Sequence, residues 1–299
     1  MAAAALFTAG CQSLRNGPTP GTPARHGTLL LIGGGLDDDN RPARIVIATA
    51  ATGDQETVAT IDQASAMFFT GGDQQRITDR YHPHDQPSPE WLAMGRLLAR
   101  GGVIAGTSAG DAKMGEEDEE DPAQLGPRLG PGMRFLPWAI SDSHFFERDR
   151  IGRLVAALEA TGRQLGIGIG EDAAVEVDLD SGELRGISVS ESLLVDTARL
   201  QRSGLIRTGI VARLVGQGDS LKPTEWLART PPTAAAPASP TREMPIVEPG
   251  QNRQLAAWQL FRQASDSESP AIRQQLDGYS LIVFPVDNGN IGLEVRPAD

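Results

Sequence analysis

Gly101-Gly102-Val103-Ile104-Ala105-Gly106-Thr107-Ser108-Ala109-Gly110 decides how the rest of the chain is read. A short apolar run enters Gly-x-Ser-x-Gly, the pattern of a nucleophile elbow, where the reversal from strand to helix is too tight for bulky neighbours. Gly106 and Gly110 leave that room. Ser108 then stands at a helix N-terminus, where unpaired N–H groups and the helix dipole favour negative charge. The N–H of Ala109 is placed to stabilise an oxyanion. A serine in a glycine-rich turn also serves as a plain helix cap, so the pentapeptide needs partners before it means chemistry.

Outward from this stretch, strands and helices alternate. Residues 28–32 (Thr-Leu-Leu-Leu-Ile) form a continuous apolar run suited to a strand buried on both faces. Gly33-Gly34-Gly35 ends it, and Asp37, Asp38 and Asp39 make that turn a poor phosphate cradle, because carboxylates repel an anion. Residues 44–49 and 66–70 are further strands, the latter breaking at Gly71-Gly72. Ser88-Pro89-Glu90-Trp91 opens a helix, with Ser88 as N-cap and Pro89 at the first helical position. Trp91, Met94, Leu97 and Leu98 are its apolar stripe, and Gly101 stops it just before the elbow strand. This order predicts an α/β fold in three layers. A mostly parallel sheet carries helices on both faces, and ligand chemistry sits at the carboxyl ends of its strands.

Beyond the elbow, residues 115–132 are acidic and rich in Gly and Pro, and read as a solvated loop. Ile151, Leu154, Val155 and Leu158 recur at helical spacing, with Arg148, Arg150 and Arg153 near the helix start. Residues 165–170 (Leu-Gly-Ile-Gly-Ile-Gly) are a glycine-punctuated strand, and residues 184–216 alternate short strands and turns. The Pro/Ala-rich residues within 228–245 read as a linker. After it, residues 251–264 have helical character, and residues 279–295 form a hairpin turning at Asp287-Asn288-Gly289. The organisation expected is a leader and tether over 1–27, a hydrolase domain over 28–227, a linker over 228–245 and a small C-terminal extension over 246–299.

Composition narrows the function. The 299 residues carry a net charge of −12, which argues against a nucleic-acid binder. With the single cysteine, Cys11, neither an intramolecular disulfide nor a cysteine-rich metal site is available. No metal or cofactor is called for. Apolar residues 2–7 lead into Thr8-Ala9-Gly10-Cys11, which is similar to a bacterial lipobox and makes Cys11 a candidate lipidation site. That reading places the protein at the cell envelope or in the periplasm; without it the expectation is the cytoplasm. No run is long enough to span a membrane. Assembly as a homodimer is left open by the sequence.

Serine hydrolysis needs a base and a group that orients the base. Of the 4 histidines, His26 lies in the tether, His82 and His84 lie in a Pro-rich loop, and His144 stands at a strand end in apolar surroundings. Glu171 comes at the end of the next strand, a position that suits a carboxylate expected beside the His144 imidazole.

At this point the residues resemble a known family. Phe-Phe-Thr-Gly-Gly-Asp-Gln (68–74), Gly-Thr-Ser-Ala-Gly (106–110), Asp-x-His-Phe-x-x-Arg-x-Arg-x-x-Arg-Leu (142–154) and Gly-Ile-Gly-Ile-x-Glu-Asp-x-Ala (166–174) are similar, in order, to motifs of the cyanophycinases, serine peptidases related to peptidase E. The resemblance covers roughly residues 28–218. It implies a fold similar to class I glutamine amidotransferases, with serine in place of their cysteine. It also implies hydrolysis of multi-L-arginyl-poly-L-aspartate to β-Asp-Arg dipeptides. By that pattern Ser108 is the nucleophile, His144 the base and Glu171 its orienting carboxylate, while Gly72, Asp73 and Ala109 frame the oxyanion hole. Gln74, Asp142, Ser143, Arg148, Arg150 and Arg153 fall on substrate-pocket positions, where arginines fork onto carboxylates of the polymer and acidic groups meet its guanidinium arms.

The sequence departs from the pattern in four places. Ser143 stands where the family usually has glutamine, Asp111 where it has alanine and Gly170 where it has aspartate, and residues 50–65 are too few for the usual extra helix and strand. An aspartyl dipeptidase of the peptidase E type, or an inactive homologue that binds peptide, is the alternative these departures leave standing.

Overall fold

A computed structural model describes residues 27–32, 45–48, 58–72, 74–108, 132–229, 242–243, 253–266, 268–276, 278–287 and 289–298. The leader with Cys11, the 33–39 turn, Asp73, Ala109, Asp111, the acidic residues up to 131 and the linker residues 230–241 lie outside them.

In chain order the first half contains β1 (Thr28–Ile32), β2 (Ile45–Ala48), α1 (Val58–Asp62), β3 (Ala66–Phe69), α2 (Gln74–Tyr81), α3 (Pro89–Ala99), β4 (Val103–Thr107) and β5 (Ala139–Ser143). Next come α4 (Ile151–Thr161), β6 (Leu165–Ile169), β7 (Ala174–Asp178), β8 (Leu184–Gly186), β9 (Ser192–Asp196), β10 (Gln201–Ser203) and β11 (Ile206–Val215). The chain closes with β12 (Ser220–Leu221), α5 (Pro223–Arg229), β13 (Arg242–Glu243), α6 (Arg253–Ala264), β14 (Ile272–Gln275), β15 (Tyr279–Pro285) and β16 (Ile291–Pro297). The cap of α3 is the one its sequence specifies: Ser88 Oγ accepts the Trp91 N–H at 3.1 Å.

These strands form two mixed sheets rather than the single mostly parallel one expected. The first runs β12-β8-β7-β1-β4-β3-β2 and the second β13-β14-β15-β16-β11-β9-β6-β5, with β10 paired to β11. The parallel part is β1-β4-β3-β2, plus the pairs β5–β6 and β13–β14. The remaining pairs are antiparallel, and those between strands adjacent in sequence have a reason of chain length. Parallel neighbours need a crossover of a dozen or more residues, whereas short turns such as those between β7 and β8 or β15 and β16 fold the chain back on itself. The C-terminal strands belong to the second sheet, since β16 pairs with β11 through Ala212 and Ile291.

The two sheets share one core. Leu165, Ile167 and Ile169 of β6 cluster with Leu29, Leu31, Met67, Phe69 and Ile104 of the first sheet and with α3. The other face of the second sheet packs on α4 and α6 through Leu154, Leu158, Leu260 and Phe261, among others.

The alternation along β6 explains its glycines. The odd-numbered residues point into the shared core, and the glycines point to the α4 side. A Cβ on Gly166 would stand 2.9 Å from Leu154, and one on Gly168 only 2.4 Å from the Phe145 ring. The bare strand face therefore receives both α4 and the turn that precedes it.

Candidate active site

Strand register brings three chain segments to one place. In the first sheet Phe69 pairs with Gly106, so two residues further on Gly71 meets Ser108. A Cβ on Gly71 would come within 3.2 Å of Ser108 Cβ, so glycine leaves the serine its space. In the second sheet Ser143 pairs with Ile169 in parallel, so His144 and Glu171 emerge at the same carboxyl end. Ser143 Oγ donates to the Ser108 carbonyl at 3.2 Å and ties the ends of the two sheets together.

Ser108 and His144 both hold left-handed backbone, φ 54° and 48°. Non-glycine residues adopt that conformation at a cost, and it concentrates where surrounding structure fixes a side chain for use. His144 Nε2 lies 2.8 Å from Ser108 Oγ, and Nδ1 lies 2.7 Å from Glu171 Oε1. A carboxylate facing Nδ1 accepts the ring proton, which leaves the Nε2 lone pair for the serine hydroxyl. The imidazole is mostly covered, at 17% exposure, and the Glu171 side chain is open at 46%. Hydroxyl, imidazole and carboxylate in series are what general-base activation of an alcohol requires.

The remaining residues singled out in the sequence fall into distinct places. Gly72 sits in the bend after β3 with φ 137°, and Gln74 opens α2. Asp142 is fully buried: Arg150 Nη1 donates to it at 2.9 Å, Arg153 Nε at 3.1 Å, and Arg153 Nη2 makes a further bond to Oδ1. Arg150 also donates to the Ser143 carbonyl at 2.8 Å. This cluster is internal and braces the turn between β5 and α4. Arg148 is the exposed arginine of the three.

One residue of the site has no signature in the sequence. Glu147, between Phe146 and Arg148, accepts the Glu171 N–H on Oε1 at 2.9 Å. Its other oxygen is buried with no hydrogen-bond partner. Burial first, and then the neighbouring Glu171 carboxylate, push its carboxyl above the ordinary glutamate value. A charged residue directly after two aromatics was the available hint.

Among the described residues no group of three or more His, Cys, Asp and Glu side chains is placed to hold a metal ion, and no helix is long and apolar enough to cross a membrane.

No protein-family model matches the chain. It is a distant relative of proteins named cyanophycinase. That of Trichormus variabilis is 35% identical over 150 residues, 48% of this chain and 48% of that protein. The cyanophycinase of Synechococcus elongatus is 30% identical over 148 residues, 48% of this chain and 45% of its own length. That of Geminocystis herdmanii is 33% identical over 126 residues, 40% of this chain and 45% of that protein. The chain thus spans about half the length of the curated relatives it matches. A peptidase from an acI-B1 Actinobacterium superposes with a TM-score of 0.47 and 15% identity, over 67% of this chain and 98% of that one.

Proposed function

We propose that this chain is a serine-type peptidase of the cyanophycinase kind, cleaving β-linked Asp-Arg peptides through an acyl-enzyme. The observation that carries the reading is the relay from Glu171 through His144 to Ser108, with contacts of 2.7 and 2.8 Å. Ser108 Oγ attacks the scissile carbonyl while His144 Nε2 takes its proton, and Glu171 stabilises the imidazolium. The turn after β4 acts as the nucleophile elbow of a fold like that of class I glutamine amidotransferases. The oxyanion hole is assigned to N–H groups of Gly72 and, by the sequence pattern alone, of Asp73 and Ala109, which lie outside the described residues. His144 then protonates the leaving amine, and a water molecule, activated by the same imidazole, releases the acyl group.

Substrate contacts follow from charge and exposure. Exposed Arg148 offers a fork to an aspartyl carboxylate, and Gln74, at the start of α2, is assigned to substrate by the sequence pattern. Asp142, Arg150 and Arg153 act indirectly, by fixing the turn that carries His144.

A second reading has its own observation. Because Arg150 and Arg153 are bonded to Asp142, Arg148 is the exposed cation of that set, which suits a short aspartyl dipeptide. Incubation of wild type and Ser108→Ala with purified cyanophycin and with short aspartyl dipeptides separates these readings. Release of β-Asp-Arg by wild type, abolished by the substitution, supports the polymer. Cleavage of dipeptides alone supports the second reading, and binding without release makes the chain an inactive peptide binder.

A further inference from the structure

We infer that Glu147 is the positioning residue that holds Glu171 against His144. The inference rests on the reading of Ser108, His144 and Glu171 as a working relay. Its own footing is geometric. Glu171 sits on the short connection between β6 and β7, and nearly half of its side chain is exposed. Its contact with His144 therefore depends on what fixes its backbone. Glu147 Oε1 accepts the Glu171 N–H at 2.9 Å, and this bond reaches from the turn after β5 to the loop after β6. The imidazole and the carboxylate that faces it are thus latched to each other through a third side chain.

The latch fits because residue 170 is glycine. A Cβ there would lie 3.0 Å from the Phe146 ring and 3.4 Å from Glu147 Oε1, so the bare backbone lets Phe146 and Glu147 settle onto the strand end. Phe145 and Phe146, both buried, exclude water from the same turn.

The surroundings raise the Glu147 carboxyl above its ordinary value, burial outweighing the opposing N–H groups of Glu147 and Glu171 and the imidazole of His144. Oε2 is buried and has no hydrogen-bond partner. An ionised oxygen in that position is far costlier than a neutral hydroxyl. The titratable groups that act on Glu147 are Glu171, on the loop after β6, and His144, on its own turn. A second negative charge beside Glu171 is disfavoured by repulsion, and burial acts in the same direction more strongly. In its protonated form the acid keeps an oxygen as acceptor for the Glu171 N–H and adds no charge beneath the relay.

The test uses a fluorophosphonate probe, which reports an activated serine whatever the peptide specificity, on the full chain across pH. Glu147→Met keeps the side-chain length but removes the acceptor. It is expected to cut the plateau labelling rate about tenfold and to move the acid inflection of labelling down by about one pH unit. Glu147→Gln, which retains an acceptor at the same reach, rescues both. A purely structural role would lower the plateau and leave the inflection in place. An unmoved inflection in Glu147→Met, or an inflection in Glu147→Gln displaced like that of Glu147→Met, overturns the inference.

A second measurement needs no destabilised variant. In 13C-glutamate-labelled wild type, the Glu147 carboxyl resonance, assigned by its loss in Glu147→Gln, is expected to stay protonated to higher pH than exposed glutamates. Titration together with those glutamates overturns the inference. His144→Ala distinguishes failure of the relay reading: labelling as fast as wild type would end that reading. The carboxyl titration, with exchange of the Glu171 amide proton about tenfold faster in Glu147→Met than in wild type, would still decide the role of Glu147.

Discussion

Tyr279 Oη donates to the Asp149 carbonyl at 2.9 Å across 130 positions of sequence, and accepts the Gly152 N–H at 3.2 Å. A C-terminal strand thus clamps the turn between His144 and α4 on both sides of Arg150. Asp149 itself has φ 48°, so the clamp holds a backbone conformation that the residue does not favour alone. Burial lifts the Tyr279 phenol well above its ordinary value, so the hydroxyl stays protonated and keeps donating through the neutral range.

Tyr279→Phe is therefore expected to lower unfolding free energy by about 1–2 kcal/mol, because it removes the hydroxyl that accepts the buried Gly152 N–H and donates to the Asp149 carbonyl. Labelling of Ser108 should slow by more than the loss of folded protein explains. Urea unfolding followed beside labelling kinetics checks this; a loss of labelling that tracks the folded fraction alone would count against the clamp.

Asp142 carries a different expectation. Asp142→Asn removes the countercharge shared by two largely buried guanidinium groups, and breaking a buried pair in this way costs about 3–5 kcal/mol. A substrate-contact role alone would raise KM at unchanged stability. Thermal unfolding and KM, measured on the same preparation, tell the two apart.

Gly168→Ala tests the bare face of β6. The new methyl would lie 2.4 Å from the Phe145 ring, and that ring follows His144 in the chain. Overpacking of this kind costs about 1–3 kcal/mol, and the ring can yield only by moving the turn. The expected outcome is a folded protein with impaired labelling, read by circular dichroism beside probe incorporation.

The pH dependence of stability has a definite sign. Burial in the first place holds the Glu147 carboxyl above its ordinary 4.5, so the folded protein keeps a proton that the unfolded chain releases. The stability this contributes is complete below about pH 4.5 and is lost as pH rises through the higher folded value. Across that window, wild type should lose stability relative to Glu147→Gln. Urea unfolding of both proteins at matched pH measures the difference, and a difference independent of pH would rule the linkage out.

Much of this arrangement was legible from local patterns. The apolar run at 28–32, the Ser88 cap, the stripe of Ile151, Leu154, Val155 and Leu158, and the turn at Asp287 and Gly289 each carry their own signal. They reappear as β1, α3, α4 and the β15–β16 hairpin. Ser108, His144 and Glu171 each follow a strand that is readable in the sequence. The second sheet was not legible, since its pairings, such as Ala212 with Ile291, join residues far apart in sequence. Glu147 escaped because its partner is a backbone N–H, and no periodicity marks such a bond. A helix start rich in cations reads as exposed in the sequence, whereas Arg150 and Arg153 meet a countercharge at Asp142 on the neighbouring strand.

The placement of Ser108 at the end of one sheet and of His144 and Glu171 at the end of the other has a wider consequence. The distance between hydroxyl and imidazole gauges how two separately bonded ladders are aligned. A slip of one ladder against the other would open that gap while every backbone hydrogen bond survived. Reactivity at a single oxygen thus reports on the fit between layers, and substitutions at Leu31 or Ile167, deep in the shared core, would be felt at the serine without touching it.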